Sequence, residues 1–413
     1  MVALRDVHYG WVVVAAGTLA VFACIGIGRF ALGMLLPPMG ADLGLTYAEM
    51  GFVSSGNLVG YTIAVMAAGW LSRRFGSRLL IVVGLVTVAA SMMAISLTHG
   101  FQGLLPLYVI TGLGSGAANV PVMALVSFWF ARRHRGKAAG LIVSGNGFAI
   151  ILSGALVPAF AAGGASDGWR GAWLALGAIV LAVAAVCWLL VRHRPEEHDL
   201  APFGGADRGA HAAGAGGDAE ADRRAGALRR RTLAHLGAIY FLFGASYVIY
   251  ATFIVTSLID DHGFPDATAG AFWSWLGILS LVSGPVFGSL SDIIGRRAGL
   301  MVVFALHMAA YGLASAPLSD AFLFLSIALF GIAAWSIPSI MAAAVGDYMG
   351  ADHAAAGFGT ITVVFGIGQI VGPAIAGLAA DAAGGFAVSF ALAAALAAVA
   401  IVLSGFLHQP PPS

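Results

Sequence analysis

A single arginine stands inside the first long apolar stretch of the chain, GWVVVAAGTLAVFACIGIGRFALGMLLPPM (10–39). No other Lys or Arg, and no Asp or Glu, lies deep in an apolar segment. A charge at the centre of a bilayer costs about 2.5–3.5 kcal/mol on insertion scales. Arg29 has no carboxylate at its depth to offset that cost, which leaves room for an anionic ligand. A guanidinium suits a carboxylate because its planar fork donates two parallel hydrogen bonds. The alternative is an arginine that glues helices or snorkels to the surface. On a segment over 10–36, Arg29 sits about 10 Å outward of the midpoint at 1.5 Å per residue. Gly26, Gly28 and Gly33 flank it, and small residues suit close packing or ligand approach.

Neutral polar side chains supply the remaining candidates. Asn57 and Tyr61 are one turn apart in the second apolar segment, Asn119 lies in the fourth and Asn146 in the fifth. In the seventh, Phe243, Tyr247 and Tyr250 recur at i, i+4 and i+7 and so share a helical face. Ser336, beside Trp335 in the tenth, completes the set of substrate-binding candidates. Each has a structural alternative, an amide bonding neighbouring helices or an aromatic packing stripe. His307 and Tyr311, in the ninth segment, read as structural. All 19 acidic residues fall in loops or at helix ends, Glu49 and Asp260 being nearest to an apolar segment.

The elements that must position these residues follow from composition. The chain is 60% hydrophobic and 9% charged, with a mean hydropathy of +0.93, whereas soluble domains carry about 25% charged residues. A helix needs about 20 apolar residues to span the hydrocarbon core, and twelve segments qualify: 10–36, 48–71, 79–98, 103–130, 138–162, 171–191, 232–258, 268–290, 298–316, 320–345, 355–380 and 385–407. The first is too long for a signal peptide's apolar region. A Gly/Ala-rich, charged stretch over 194–230 reads as a flexible cytoplasmic linker. It separates an N-terminal six-helix bundle, 1–193, from a C-terminal one, 231–413. The expected fold is an all-α membrane protein of twelve transmembrane helices in two pseudo-symmetric six-helix bundles. Cys24 and Cys187 lie in apolar segments and read as buried thiols. No redox or metal cofactor is implied, and no nucleotide-binding or nucleic-acid-binding motif is present.

Positive charge sets the expected orientation. With a cytoplasmic N-terminus, the inner segments hold 18 of the 20 basic residues, and the outer loops hold only Arg170. Both termini are then cytoplasmic, in a bacterial inner membrane.

The halves also repeat. Gly69-Trp-Leu-Ser-Arg-Arg74-Phe-Gly76-Ser-Arg78 follows the second segment, and Gly288-Ser-Leu-Ser-Asp292-Ile-Ile-Gly295-Arg296-Arg297 follows the eighth, at an offset of 219. Asn119-Val-Pro121 and Ser336-Ile-Pro338 repeat at an offset of 217. Such duplication is the architecture of many secondary transporters. By the 219 offset Tyr247 corresponds to Gly28, which places it at the depth of Arg29.

The two loop copies resemble the GxLxDRxGRR signature of the major facilitator superfamily. The second keeps Gly288, Asp292, Gly295, Arg296 and Arg297, while the first has Arg73 where the Asp belongs and Ser77 in place of an Arg. The resemblance implies that these loops pin the halves on the cytoplasmic side and switch between states. Gly10-Trp11-Val12-Val13-Val14 and the stretch Trp129–Gly140 resemble monocarboxylate porters and their bacterial oxalate–formate-type relatives. Those transporters carry a first-helix lysine that engages the carboxylate, and Arg29 falls at its position. Their eighth-helix Asp–Arg pair has no counterpart in AFWSWLGILSLVSGPVFG (271–288). GRFALGMLLPPM also resembles YbfB/YjiJ-type facilitators. The reading is a transporter, not an enzyme. It moves a small organic anion, most simply a monocarboxylate, by alternating access with proton coupling, and works as a monomer. Anion exchange and multidrug or amphiphile efflux are the alternatives; efflux of the latter kind commonly uses a buried acid.

Overall fold

The structure is a computed structural model that describes residues 8–161, 167–198, 200–205, 219–316, 318–349 and 351–408. Twelve of its helices are long and apolar enough to span a bilayer. They are α1 (Tyr9–Leu43), α2 (Tyr47–Phe75), α3 (Ser77–Ile95), α4 (Phe101–Trp129), α5 (Arg133–Ala161), α6 (Gly168–Leu190), α7 (Arg230–Asp260), α8 (Asp266–Ile294), α9 (Arg296–Ser315), α10 (Asp320–Met349), α11 (Ala356–Ala383) and α12 (Ala387–Gly405). Each falls on one of the twelve segments expected from hydropathy. The turns from α2 to α3 and from α8 to α9 are single glycines, Gly76 at φ 84° and Gly295 at φ 88°. Only glycine adopts that conformation without steric cost, which explains why both loop copies keep it.

Contacts divide the chain into two compact units, Met1–Gly209 with Leu258–Gly277, and Ala210–Ser257 with Ile278–Ser413. In the first unit, interlocking glycines bring helix backbones together. A Cβ on Gly112 of α4 would collide with the carbonyl of Asn57 on α2, and one on Gly116 would lie 2.6 Å from the carbonyl of Tyr61. A Cβ on Gly145 of α5 would lie 2.8 Å from the amide nitrogen of Phe22 on α1. Lipid offers no hydrophobic drive between helices, so close backbone contact through small residues supplies the association. The end of α1 is fixed by Asp42, which accepts from Trp169 Nε1 (3.0 Å) and pairs with Arg170 (3.3 Å). Arg170 also donates to the carbonyls of Ser96 and Thr98 at 2.8 and 2.7 Å. The start of α8 belongs to this unit too, with Trp273 Nε1 donating to Ser153 Oγ (3.1 Å) and Ser274 Oγ to the carbonyl of Ile151 (3.2 Å).

The stretch expected as a flexible linker over 194–230 is structured at both ends, and 199 and 206–218 lie outside the described residues. Phe203 exchanges backbone hydrogen bonds with Trp129 and Ala131 (2.8 and 3.0 Å). Its ring packs on Trp11, Phe130 and His134 with centroids 5.0–5.8 Å away. At the other end, the helix that becomes α7 starts at Ala219. His8 Nε2 bonds the carbonyl of Ala201 (2.9 Å) and Arg133 donates to that of Gly204 (3.3 Å), so the segment around Phe203 is docked on the bundle.

Replacing Gly116 by Val should force α2 and α4 apart. Overpacking of this kind costs about 1–3 kcal/mol, so the thermal unfolding midpoint of the purified protein is expected to fall by several degrees, while Gly140→Ala, with no atom near its Cβ position, should leave it unchanged.

Candidate functional site

Between Phe22 and Phe30, α1 opens into a π-helix nine residues long. The wider turn breaks the regular bonding of the backbone, and π-turns inside α-helices recur at functional sites. Side chains from α4 and α2 take up carbonyls of this turn. Ser115 Oγ donates to Cys24 O (2.5 Å), Asn57 Nδ2 to Gly28 O (3.4 Å) and Tyr108 OH to Arg29 O (3.2 Å). Asn57 Nδ2 also donates to Tyr108 O (3.3 Å), which links the three helices at one level. Gly26 faces Ala149 and the backbone of Asn146 and has no room for a side chain, and Gly28 fits closely against Ser115 and Val88.

The spanning helix runs from Tyr9 to Leu43, beyond the end at 36 expected from hydropathy. Its midpoint is residue 26, so Arg29 lies about 4.5 Å from the middle of the helix along its axis. The guanidinium does not snorkel. It lies over the Tyr61 ring, 4.6 Å from the centroid, and Tyr61 OH accepts from Asn119 Nδ2 at 2.8 Å. Arg29 Nε and Nη2 are buried and have no hydrogen-bond partner among the described residues. These two nitrogens form one edge of the guanidinium, the edge that binds a carboxylate side-on with two parallel hydrogen bonds. Tyr61, which accepts from Asn119, keeps its own hydroxyl proton free to donate.

The other candidates divide. Asn57 is fully buried and turned to backbone carbonyls, so it holds the π-turn. Asn146, 8% exposed, has a buried and unpartnered Oδ1. In the second unit, Tyr247 OH accepts from Gln369 Nε2, and its ring stacks on Phe243 (4.8 Å) and meets Trp335 edge-on (6.2 Å). Tyr250 does not join that group. Its hydroxyl shares a hydrogen bond with Ser326 (2.7 Å), and its ring packs on Phe330 (4.4 Å) and Tyr311 (5.4 Å) in the helix core. Ser336 is fully buried against Ser283 Oγ (2.8 Å), tying α10 to α8. Sequence reasoning missed Gln369, Tyr108 and Ser115. Gln369 sits among the glycines of α11, which read as packing; Ser115 lies between Gly114 and Gly116, and that run was the available signal.

The two loops differ in chemistry. In the second, Arg296 bonds Asp292, Ser291 Oγ (2.8 Å) and Asp347 Oδ2 (2.7 Å). In the first, Arg78 donates to the carbonyl of Trp188 and lies over its ring at 4.3 Å, and Ser77 bonds Ser72 (3.0 Å) and His193 (3.1 Å). Hydroxyls and an aromatic ring thus stand where the second copy uses carboxylates. Arg74 and Arg297 are exposed, as is Gly69, and Gly288 is part-exposed.

Twelve spans built from repeated halves, each with its glycine-turn loop, define an integral membrane transporter of the major facilitator superfamily. The family described as "Uncharacterised MFS-type transporter YbfB" matches residues 21–405, and the chain belongs to it. It is 26% identical over 385 residues to the probable sulfoacetate transporter SauU of Cupriavidus necator, covering 87% of this chain and 85% of that protein. It is 28% identical over 413 residues to monocarboxylate transporter 11 of Mus musculus, covering 93% and 84%. A bacterial homologue of the human lysosomal transporter Spinster superposes with a TM-score of 0.76 at 17% identity, covering 96% of each chain, which establishes the shared fold.

Asn57→Leu should remove two hydrogen bonds that brace the π-turn. At about 1 kcal/mol each net, the loss should lower the unfolding midpoint, and the π-turn amides should exchange with deuterium faster while those of α6 do not change.

Proposed function

We propose that this transporter carries a small organic anion, most simply a monocarboxylate, across the bacterial inner membrane by alternating access, with proton coupling. The observation that carries the reading is the unpartnered Nε–Nη2 edge of Arg29, desolvated near the middle of α1. A buried donor without a partner costs about 1–3 kcal/mol, more when charged, and a bound carboxylate relieves that cost. The Tyr61 ring holds the guanidinium from one face, a contact of about 0.5–2 kcal/mol, and its hydroxyl supplies a further donor. Asn119 and Asn146 act as neutral helpers, with Asn57 positioning the turn. In the second unit Tyr247, held by Gln369, is the further candidate for contact with the cargo, while Tyr250 and Ser336 are engaged with Ser326 and Ser283 inside that unit. The similarity to transporters named for sulfoacetate and monocarboxylates fits an anionic cargo.

Among the described residues every Asp and Glu lies in a loop or towards a helix end, which favours a proton that travels with the substrate as a weak acid and not on a buried Asp or Glu. This also disfavours the efflux alternative, which commonly relies on such an acid. The distribution of basic residues supports cytoplasmic termini. The Gly69–Arg78 and Gly288–Arg297 loops, through Arg74, Gly76, Arg78, Asp292, Gly295, Arg296 and Arg297, govern the inward seal. The protein acts as a monomer.

Uptake of labelled lactate, pyruvate, oxalate and larger aromatic acids into proteoliposomes tests this reading. An imposed inward proton gradient should stimulate uptake of at least one monocarboxylate. Arg29→Gln should lower that uptake by roughly 10-fold or more, the equivalent of 1.4 kcal/mol; unchanged uptake contradicts the assignment. Dependence on internal anion in place of the proton gradient would identify exchange.

A further inference from the structure

The second unit holds an open apolar groove of about 670 Å³ that plays no part in the anion site. Leu233, Gly237 and Phe241 of α7, Ile361 and Val364 of α11 and Leu403 of α12 line it, and Arg230 stands at its end. Arg231 is exposed beside Arg230, and His235 Nε2 bonds the carbonyl of Leu403 at 2.8 Å. No described acidic residue lines the groove. Along α7 it runs from Arg230 to Leu242, about 18 Å at 1.5 Å per residue, close to one leaflet of a hydrocarbon core about 30 Å thick.

The first unit has closed its equivalent. By the repeat offset of 219, Gly237 corresponds to Thr18 on α1. There Thr18 Oγ1 donates to the carbonyl of Leu141 (3.2 Å), and Gly145 brings the backbones of α1 and α5 into contact. At Gly237 the nearest atoms of Ile361 and Val364 lie 3.8 Å from a built Cβ, whereas one to two turns on, at Gly244 and Gly368, the backbones of α7 and α11 meet, so the slot is open at the Gly237 end. One copy of a duplicated element has thus kept a leaflet-deep apolar slot with the Arg230 guanidinium at its end and Arg231 exposed next to it in sequence.

We infer that this groove seats one anionic phospholipid, its acyl chain along Gly237 and its phosphate on Arg230 and Arg231. A slot with an apolar floor alone would take any annular lipid. The paired arginines select for negative charge, as basic pockets between membrane helices do.

Native mass spectrometry of the detergent-purified protein, titrated separately with dioleoyl phosphatidylglycerol and dioleoyl phosphatidylcholine, tests the assignment. The expected result is one retained phosphatidylglycerol, preferred at least 10-fold over phosphatidylcholine. Arg230→Gln with Arg231→Gln should abolish the preference. Gly237→Leu should fill the slot and remove the bound lipid; its unfolding midpoint without lipid should match wild type, since the position is open and leucine favours helix. Equal binding of the two lipids by wild type, a preference that survives the double arginine variant, or lipid retained by a folded Gly237→Leu protein would each overturn the inference.

Discussion

The site turns on one buried guanidinium edge that has no partner among the described residues. Arg29 Nε and Nη2 are buried and unpaired in a helix whose other charged residues stay clear of the core. A protein interior tolerates such a group only where the surroundings compensate in part. Here a tyrosine face at 4.6 Å does so, and the rest is left for a ligand. The surrounding features hold that side chain in place: the π-turn that carries it, the amide and hydroxyls that cap the turn, and the glycines that let α2, α4 and α5 approach.

Close helix packing and the site are the same arrangement seen at two scales. Gly112 and Gly116 draw α4 against α2 at the level of Asn57 and Tyr61. That contact lets Asn119 reach Tyr61 OH at 2.8 Å, and Tyr61 in turn lies beneath Arg29. Bulk added at the glycines would therefore disturb the guanidinium without touching it. The second unit solves its packing differently, with serine pairs at Ser283–Ser336 and Tyr250–Ser326 and a stacked Phe243–Tyr247–Phe365 cluster.

Much of this was legible in the sequence because the bilayer imposes strict rules. Twenty-residue apolar runs had to be helices, and Arg29 was conspicuous because nothing else charged accompanied it. The helix end at 36 was set too early, since α1 continues through Pro37 and Pro38 to Leu43. The π-turn was invisible because a change of register leaves no mark on hydropathy. Tyr247 and Tyr250 share a face by spacing, yet neighbours from other helices take them into separate clusters. Asn57 points to backbone, a direction no composition encodes. Phe203 was lost in a polar stretch where one aromatic was too little signal.

The central claim is that Arg29 is held for a ligand and not for the fold. Thermal unfolding of purified wild type and Arg29→Gln, each with and without a saturating monocarboxylate, tests it directly. A ligand that binds the folded state raises the midpoint in step with its concentration over Kd. The account predicts that Arg29→Gln is at least as stable as wild type without anion, because a desolvated charge is gone, and that the anion stabilises wild type alone. An Arg29→Gln protein that is less stable without anion, yet still stabilised by it, would contradict the claim.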